Sequence, residues 1–172
     1  MSLEDLGNVG EFVAAVAVVV TLGFLAVQIR QNSRTLKASA AQSVLQSLSE
    51  ALRAVAESPG LARVINQGLT EFDKLDETDQ NQLFFWLFAW FRLVEQAYQH
   101  HAMGNIQEGT WAGQVAHLKG SLASPAVVRF WTARRSAFSQ EFQEFVDSLD
   151  LSGGTLTANE AMAVFREEAP GK

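Results

Sequence analysis

The chain has no cysteine, only three prolines and one tyrosine among its 172 residues. Without thiols it forms no disulfide and no thiolate metal site, and it runs no cysteine chemistry. It also lacks a glycine-rich phosphate loop, an HExxH pair and a GxSxG elbow, so the common short motifs of hydrolases and nucleotide enzymes are missing. Basic residues are outnumbered, 13 Lys and Arg against 19 Asp and Glu, giving a formal net charge of −6. That balance disfavours nucleic acid as a partner. Strand-like alternation is nearly absent, and the composition reads as all-α.

What is present in quantity is apolar sequence. Phe12 to Ile29, FVAAVAVVVTLGFLAVQI, carries no formal charge. At about 1.5 Å per residue, eighteen helical residues extend roughly 27 Å, close to the ~30 Å hydrocarbon core of a bilayer. A cleaved signal would want a basic leader and a small-x-small cleavage site, whereas Glu4, Asp5 and Glu11 precede this run. A buried core helix this long would be unusual in so small a domain. The stretch is therefore read as a single transmembrane helix. Arg30, Arg34 and Lys37 follow it and no Lys or Arg precedes it. The positive-inside rule then puts residues 1–11 outside and the C-terminal part in the cytoplasm.

Within the span, Gly10, Ala14, Ala17, Thr21, Phe24, Gln28 and Gln31 recur at steps of four and three, which places them on one helical seam. Small residues let membrane helices approach closely, so Gly10, Ala14, Ala17, Thr21 and Gln28 are candidates for helix association. The competing explanation is that Ala is common in such helices and Gln28 snorkels to the interface. A pore lined by Gln28, Gln31 and Thr35 in a multimer is a further, thinner possibility.

Residues 30–56 contain no Pro or Gly, so the helix is expected to continue out of the membrane and couple it stiffly to a cytoplasmic bundle. Its apolar face would be Leu36, Ala40, Val44, Leu48, Leu52 and Val55. Ser58-Pro59-Gly60 stops that helix and starts the next, Leu61 to Leu69. Leu75 to Gln80 reads as a loop, with Asp76 or Thr78 as the following N-cap. Leu83 to Phe91, LFFWLFAWF, leaves no polar face. It suits a central helix buried all round, or an oligomer or membrane-surface contact. The helix then runs to a stop at Gly104-Asn105.

Arg92, Glu95 and Tyr98, spaced three apart, form a candidate buried polar cluster. His100, His101 and His117 with Glu95 are a conceivable metal set, but adjacent histidines diverge by about 100° on a helix. The Glu-x-x-His of carboxylate metal bundles is also absent, since Tyr98 stands at the third position. No metal, cofactor or catalytic residue is assigned. Trp111, Val115, Leu118 and Leu122 mark the buried face of the next helix. Ser124-Pro125 opens another, whose Arg129, Trp131, Arg134 and Arg135 make the one basic-aromatic patch, a candidate site for lipid or an acidic ligand. The alternative is that these arginines pair with the acidic helix that follows. There Phe138, Phe142, Phe145, Val146 and Leu149 form a core stripe. Residues 151–172 read as a tail with a short helix opened by a capping box, Thr157 to Glu160.

The junction LAVQIRQNSRTLKASA, the segment RLVEQAYQHHAMGNI, Trp111, and FWTARRSAFSQEFQEFVD resemble a widespread family of uncharacterised bacterial proteins. The resemblance covers roughly residues 8 to 150. It implies an inner-membrane protein with one N-terminal membrane helix and a small helical domain, and it carries no catalytic residues. The sequence thus predicts an external N-terminus (1–11), a span (12–29), a cytoplasmic bundle (30–150) and a tail (151–172). The expected role is assembly or scaffolding, as a homo-oligomer or a subunit of a membrane complex. The alternative is a membrane-coupled sensor of lipid or an acidic small molecule, with a pocket between the aromatic and arginine-bearing helices. Membrane lipids are expected partners in either case.

Overall fold

The computed structural model describes residues 3–152, 156 and 158–167. Among these every regular element is helical: α1 (Leu3–Glu57), α2 (Pro59–Glu71), α3 (Glu77–Ala102), α4 (Glu108–Leu122), α5 (Pro125–Arg134), α6 (Gln140–Asp147) and α7 (Ala158–Glu167). Short 3-10 turns, Phe72–Lys74 and Arg135–Ala137, follow α2 and α5. The chain divides into two compact units, residues 1–39 and 40–172. The helical sequence that runs on past Ile29 is thus assigned to α1, and residues 40–57 of that helix belong to the second unit.

In the first unit, every described side chain between residues 10 and 39 is exposed, including Phe12, Val19 and Phe24. This is a helix long and apolar enough to cross a membrane, near the N-terminus. Thr21 on its polar seam donates its hydroxyl to the Ala17 carbonyl (2.8 Å), so that group is satisfied within the helix.

The second unit begins and ends its helices largely where side-chain chemistry dictates. Ser58 accepts from the Leu61 backbone N–H with Pro59 in the first turn. Asp76 caps α3 by accepting from the Asp79 N–H (2.8 Å), so the helix starts inside the expected loop and Asp76 is chosen over Thr78. At the far end of α3, Gly104 takes a φ of 68°. The N–H groups of Gly104 and Asn105 bond back to the carbonyls of His101 and His100, a left-handed stop suited to glycine. Ser124 behaves differently from Ser58. It offers no side-chain cap to α5 and instead donates to the Leu69 carbonyl (2.7 Å), tying α5 to the end of α2.

The core is built around α3. Leu83, Leu87, Trp90, Phe91 and Val94 pack with Val64 and Ile65 of α2, Leu118 and Leu122 of α4, Val127, Phe130 and Trp131 of α5, and Phe142 and Val146 of α6. The aromatic stretch is not buried on every side as the sequence suggested. Phe85 is 69% exposed and Ala89 is also exposed, one turn apart on one flank. Neighbouring helices cover the rest. A second cluster joins Val44 of α1 to Ala97, Ile106 and Trp111. Of the face expected along residues 36–55, Val44 is buried, Leu48 and Val55 are half-buried, and Leu36 and Leu52 are exposed.

Gly68 marks the closest approach of α2 and α3. A methyl group there would lie 2.5 Å from Leu83 Cδ2 and 3.0 Å from Leu75 Cδ1, and Leu83 has no exposed surface through which to retreat. Gly68→Ala should therefore destabilise the bundle by roughly 1–3 kcal/mol through overpacking. Gly60→Ala, with open space around the new carbon, should be neutral or gain up to about 1 kcal/mol. Denaturant midpoints in mild detergent compare the two, and equal midpoints would refute the close approach.

Candidate functional site

Of the three residues expected to form a buried polar cluster on α3, Arg92 and Glu95 meet, as a brace, with Arg92 on the exposed side. Glu95 is only 5% exposed. Its Oε2 accepts from Arg92 (2.7 Å) and its Oε1 accepts from the Ser139 backbone N–H (2.7 Å), the residue that precedes α6. Arg92 also donates to the Ala137 carbonyl (2.8 Å). The carboxylate thus does for α6 what the glutamate of a capping box does, from another helix. Tyr98 lies with other partners, its ring stacked on Phe145 and tilted against Trp111 and Phe142.

The arginines of the basic-aromatic patch go to separate partners. Arg129 pairs with Asp73 (2.9 Å) and lies over Phe72. Arg134 lies over Phe84 and Phe88. Arg135 pairs with Asp147, whose other oxygen accepts from the indole of buried Trp131 (3.0 Å). Only Arg135 meets the acidic helix. With Arg92 over Phe88 and Phe138, three guanidinium planes cover aromatic faces of α3 and its neighbours, an arrangement favoured by the ring quadrupole. A hollow of about 250 Å³ between α3 and α5, lined by Phe84, Ala126, Arg129 and Phe130, occupies the place expected for an acid-binding pocket.

The histidines are dispersed. His101 Nε2 lies 3.0 Å from Glu108, and its ring stacks on Trp111. His117 meets the edge of Trp90. Among the described residues, no group of three or more His, Asp or Glu side chains is placed to hold a metal ion.

A larger hollow lies elsewhere in the second unit. A half-open cavity of about 560 Å³ is lined by residues of α1, α2, α3, α4 and α5, with Met162 of α7 on its wall, and Leu52, Asn66 and His117 stand exposed at its mouth. Trp86 and Trp90, stacked at 6.5 Å with their planes 9° apart, form one side. Leu48, Leu52, Val55, Ile65 and Leu69 supply branched aliphatic surface, while Ala51, Ala56 and Ala62 leave the space. Polar groups on the lining are few: Asn66, His117 and Ser121. Desolvation by its neighbours pushes the His117 pKa below the ordinary imidazole value, so the neutral ring predominates at neutral pH. This cavity is not legible in the sequence, because alanines at helical spacing look the same whether neighbours close over them or not. Comparison with known proteins adds no likeness: no family model, curated protein or solved structure matches the chain.

Removing either partner of the brace should be costly. Arg92→Met leaves the Glu95 carboxylate enclosed with one backbone donor. It should cost about 2 kcal/mol, below the ~3–5 kcal/mol of fully buried pairs because Arg92 is half in water. Arg53→Met breaks the exposed Arg53–Glu57 pair and should cost under about 0.5 kcal/mol. Urea denaturation measures both, and equal losses would show that the brace contributes little.

Proposed function

We propose that this protein is a membrane-anchored helical module whose second unit holds an apolar ligand, acting as a sensor or carrier of a membrane-derived molecule. The observation that carries the reading is the cavity between the tryptophan pair of α3 and the alanines of α1 and α2. Its volume of about 560 Å³ falls within the ~300–1,000 Å³ usual for small-molecule sites, which are mostly apolar with a few polar groups.

The anchor is the uncovered apolar helix of residues 12–29, and the cations at Arg30, Arg34 and Lys37 favour a cytoplasmic second unit. The resemblance to bacterial membrane proteins supports an inner-membrane location. Assembly is the second reading. It draws on the seam of Gly10, Ala14, Ala17, Thr21 and Gln28, and on Phe85, which at 69% exposure presents a large apolar ring to a neighbour.

Two measurements test the proposal. Native mass spectrometry from mild detergent should show a small-molecule adduct on the wild-type chain that is lost in Ala62→Phe, which fills the cavity. An adduct that survives, in a folded variant, would remove the cavity as its seat. The cysteine-free background permits a clean topology test with Leu151→Cys, an exposed position. In bacterial cells an impermeant maleimide should label it only after lysis, and labelling of intact cells would invert the orientation.

A further inference from the structure

Among the described residues, no Asp, Glu, Lys or Arg lines the large cavity. Its polar lining consists of one carboxamide, Asn66, one imidazole, His117, and one hydroxyl, Ser121, which donates to the His117 carbonyl at 3.0 Å. Four of the described arginines of the unit are engaged away from it: Arg129 with Asp73, Arg135 with Asp147, Arg134 over Phe84 and Phe88, and Arg63 with Asp79.

We propose that the cavity selects an uncharged amphiphile, a long-chain alcohol, ester or comparable neutral lipid, over the anionic carboxylate of the same chain. This inference rests on the ligand-binding reading and specifies its chemistry. An aliphatic body gains from covering Leu48, Leu52, Val55, Ile65 and the Trp86–Trp90 faces. The head needs only one or two hydrogen bonds, which Asn66 and neutral His117 can give or accept. A carboxylate drawn below the open mouth, against the Trp86–Trp90 wall, would shed hydration with no lining cation to meet it, and an unpaired charge is costly to bury. Desolvation lowers the pKa of His117, whose ring meets the edge of Trp90, so at pH 8 the one titratable lining group carries no positive charge.

The test uses the full chain in lipid nanodiscs at pH 8, titrated with a terminally brominated long-chain alcohol and with the matching carboxylic acid at equal membrane content. Bromine quenches nearby indoles, and Trp86 and Trp90 face the cavity. The alcohol should quench at a concentration at least about tenfold lower than the carboxylate, a difference of roughly 1.4 kcal/mol. Leu52→Lys places a cation at a lining position that is 62% exposed, where the fold tolerates it, and should narrow that gap. A carboxylate that binds as well as the alcohol in the wild type would overturn the neutral-ligand inference while leaving the cavity reading in place. Absence of quenching by both, or quenching unchanged in folded Ala62→Phe, would overturn the cavity reading itself.

Discussion

Phe91 has no surface in water and stacks on both Phe130 (5.3 Å) and Trp131 (5.1 Å), while Phe138 and Trp90 meet it at an angle. Packing these large rings together fixes α3 against α5 and α6, because each ring wedges between two others and none can rotate alone. The bulk is unevenly distributed around α3. On the α5 and α6 side rings fill the space, and on the α1 and α2 side alanines stand where rings would be needed. The cavity is the counterpart of that asymmetry, left where Ala51, Ala56 and Ala62 cannot reach the tryptophans.

A helix as aromatic as α3 would ordinarily be an aggregation liability. The arginines at 92, 129 and 134 answer it by lying over Phe88, Phe138, Phe72 and Phe84. Their charged planes stay hydrated at one face and cover apolar rings with the other. The basic-aromatic character that suggested a ligand site is, in this arrangement, already engaged within the bundle.

Local signals were the legible part. Ser58-Pro59, Asp76 and Gly104 each act through their own backbone neighbourhood, so their roles could be read from spacing alone. The Arg92 and Glu95 pair was visible as an i, i+3 relation, but its third member, the Ser139 N–H, lies far along the chain and no local pattern reveals it. The same limit explains Ser124, whose partner Leu69 sits on another helix, and Leu52, which follows the apolar period yet faces open space. Periodicity tells which side of a helix is apolar. It does not tell whether a neighbour comes close enough to cover it. The candidate site belonged to that second kind of question, since a void is defined by residues from five or more helices at once.

The cluster that holds Val44 has a consequence in time. Val44 is buried in a cluster with Ala97, Ile106 and Trp111, which follow it from the ribosome by several seconds at roughly 5–20 residues per second. During that interval residues 40–57 can meet α2, which trails them closely, but not α3 or α4. The cavity therefore takes shape late, when helices made last close over a pair made first.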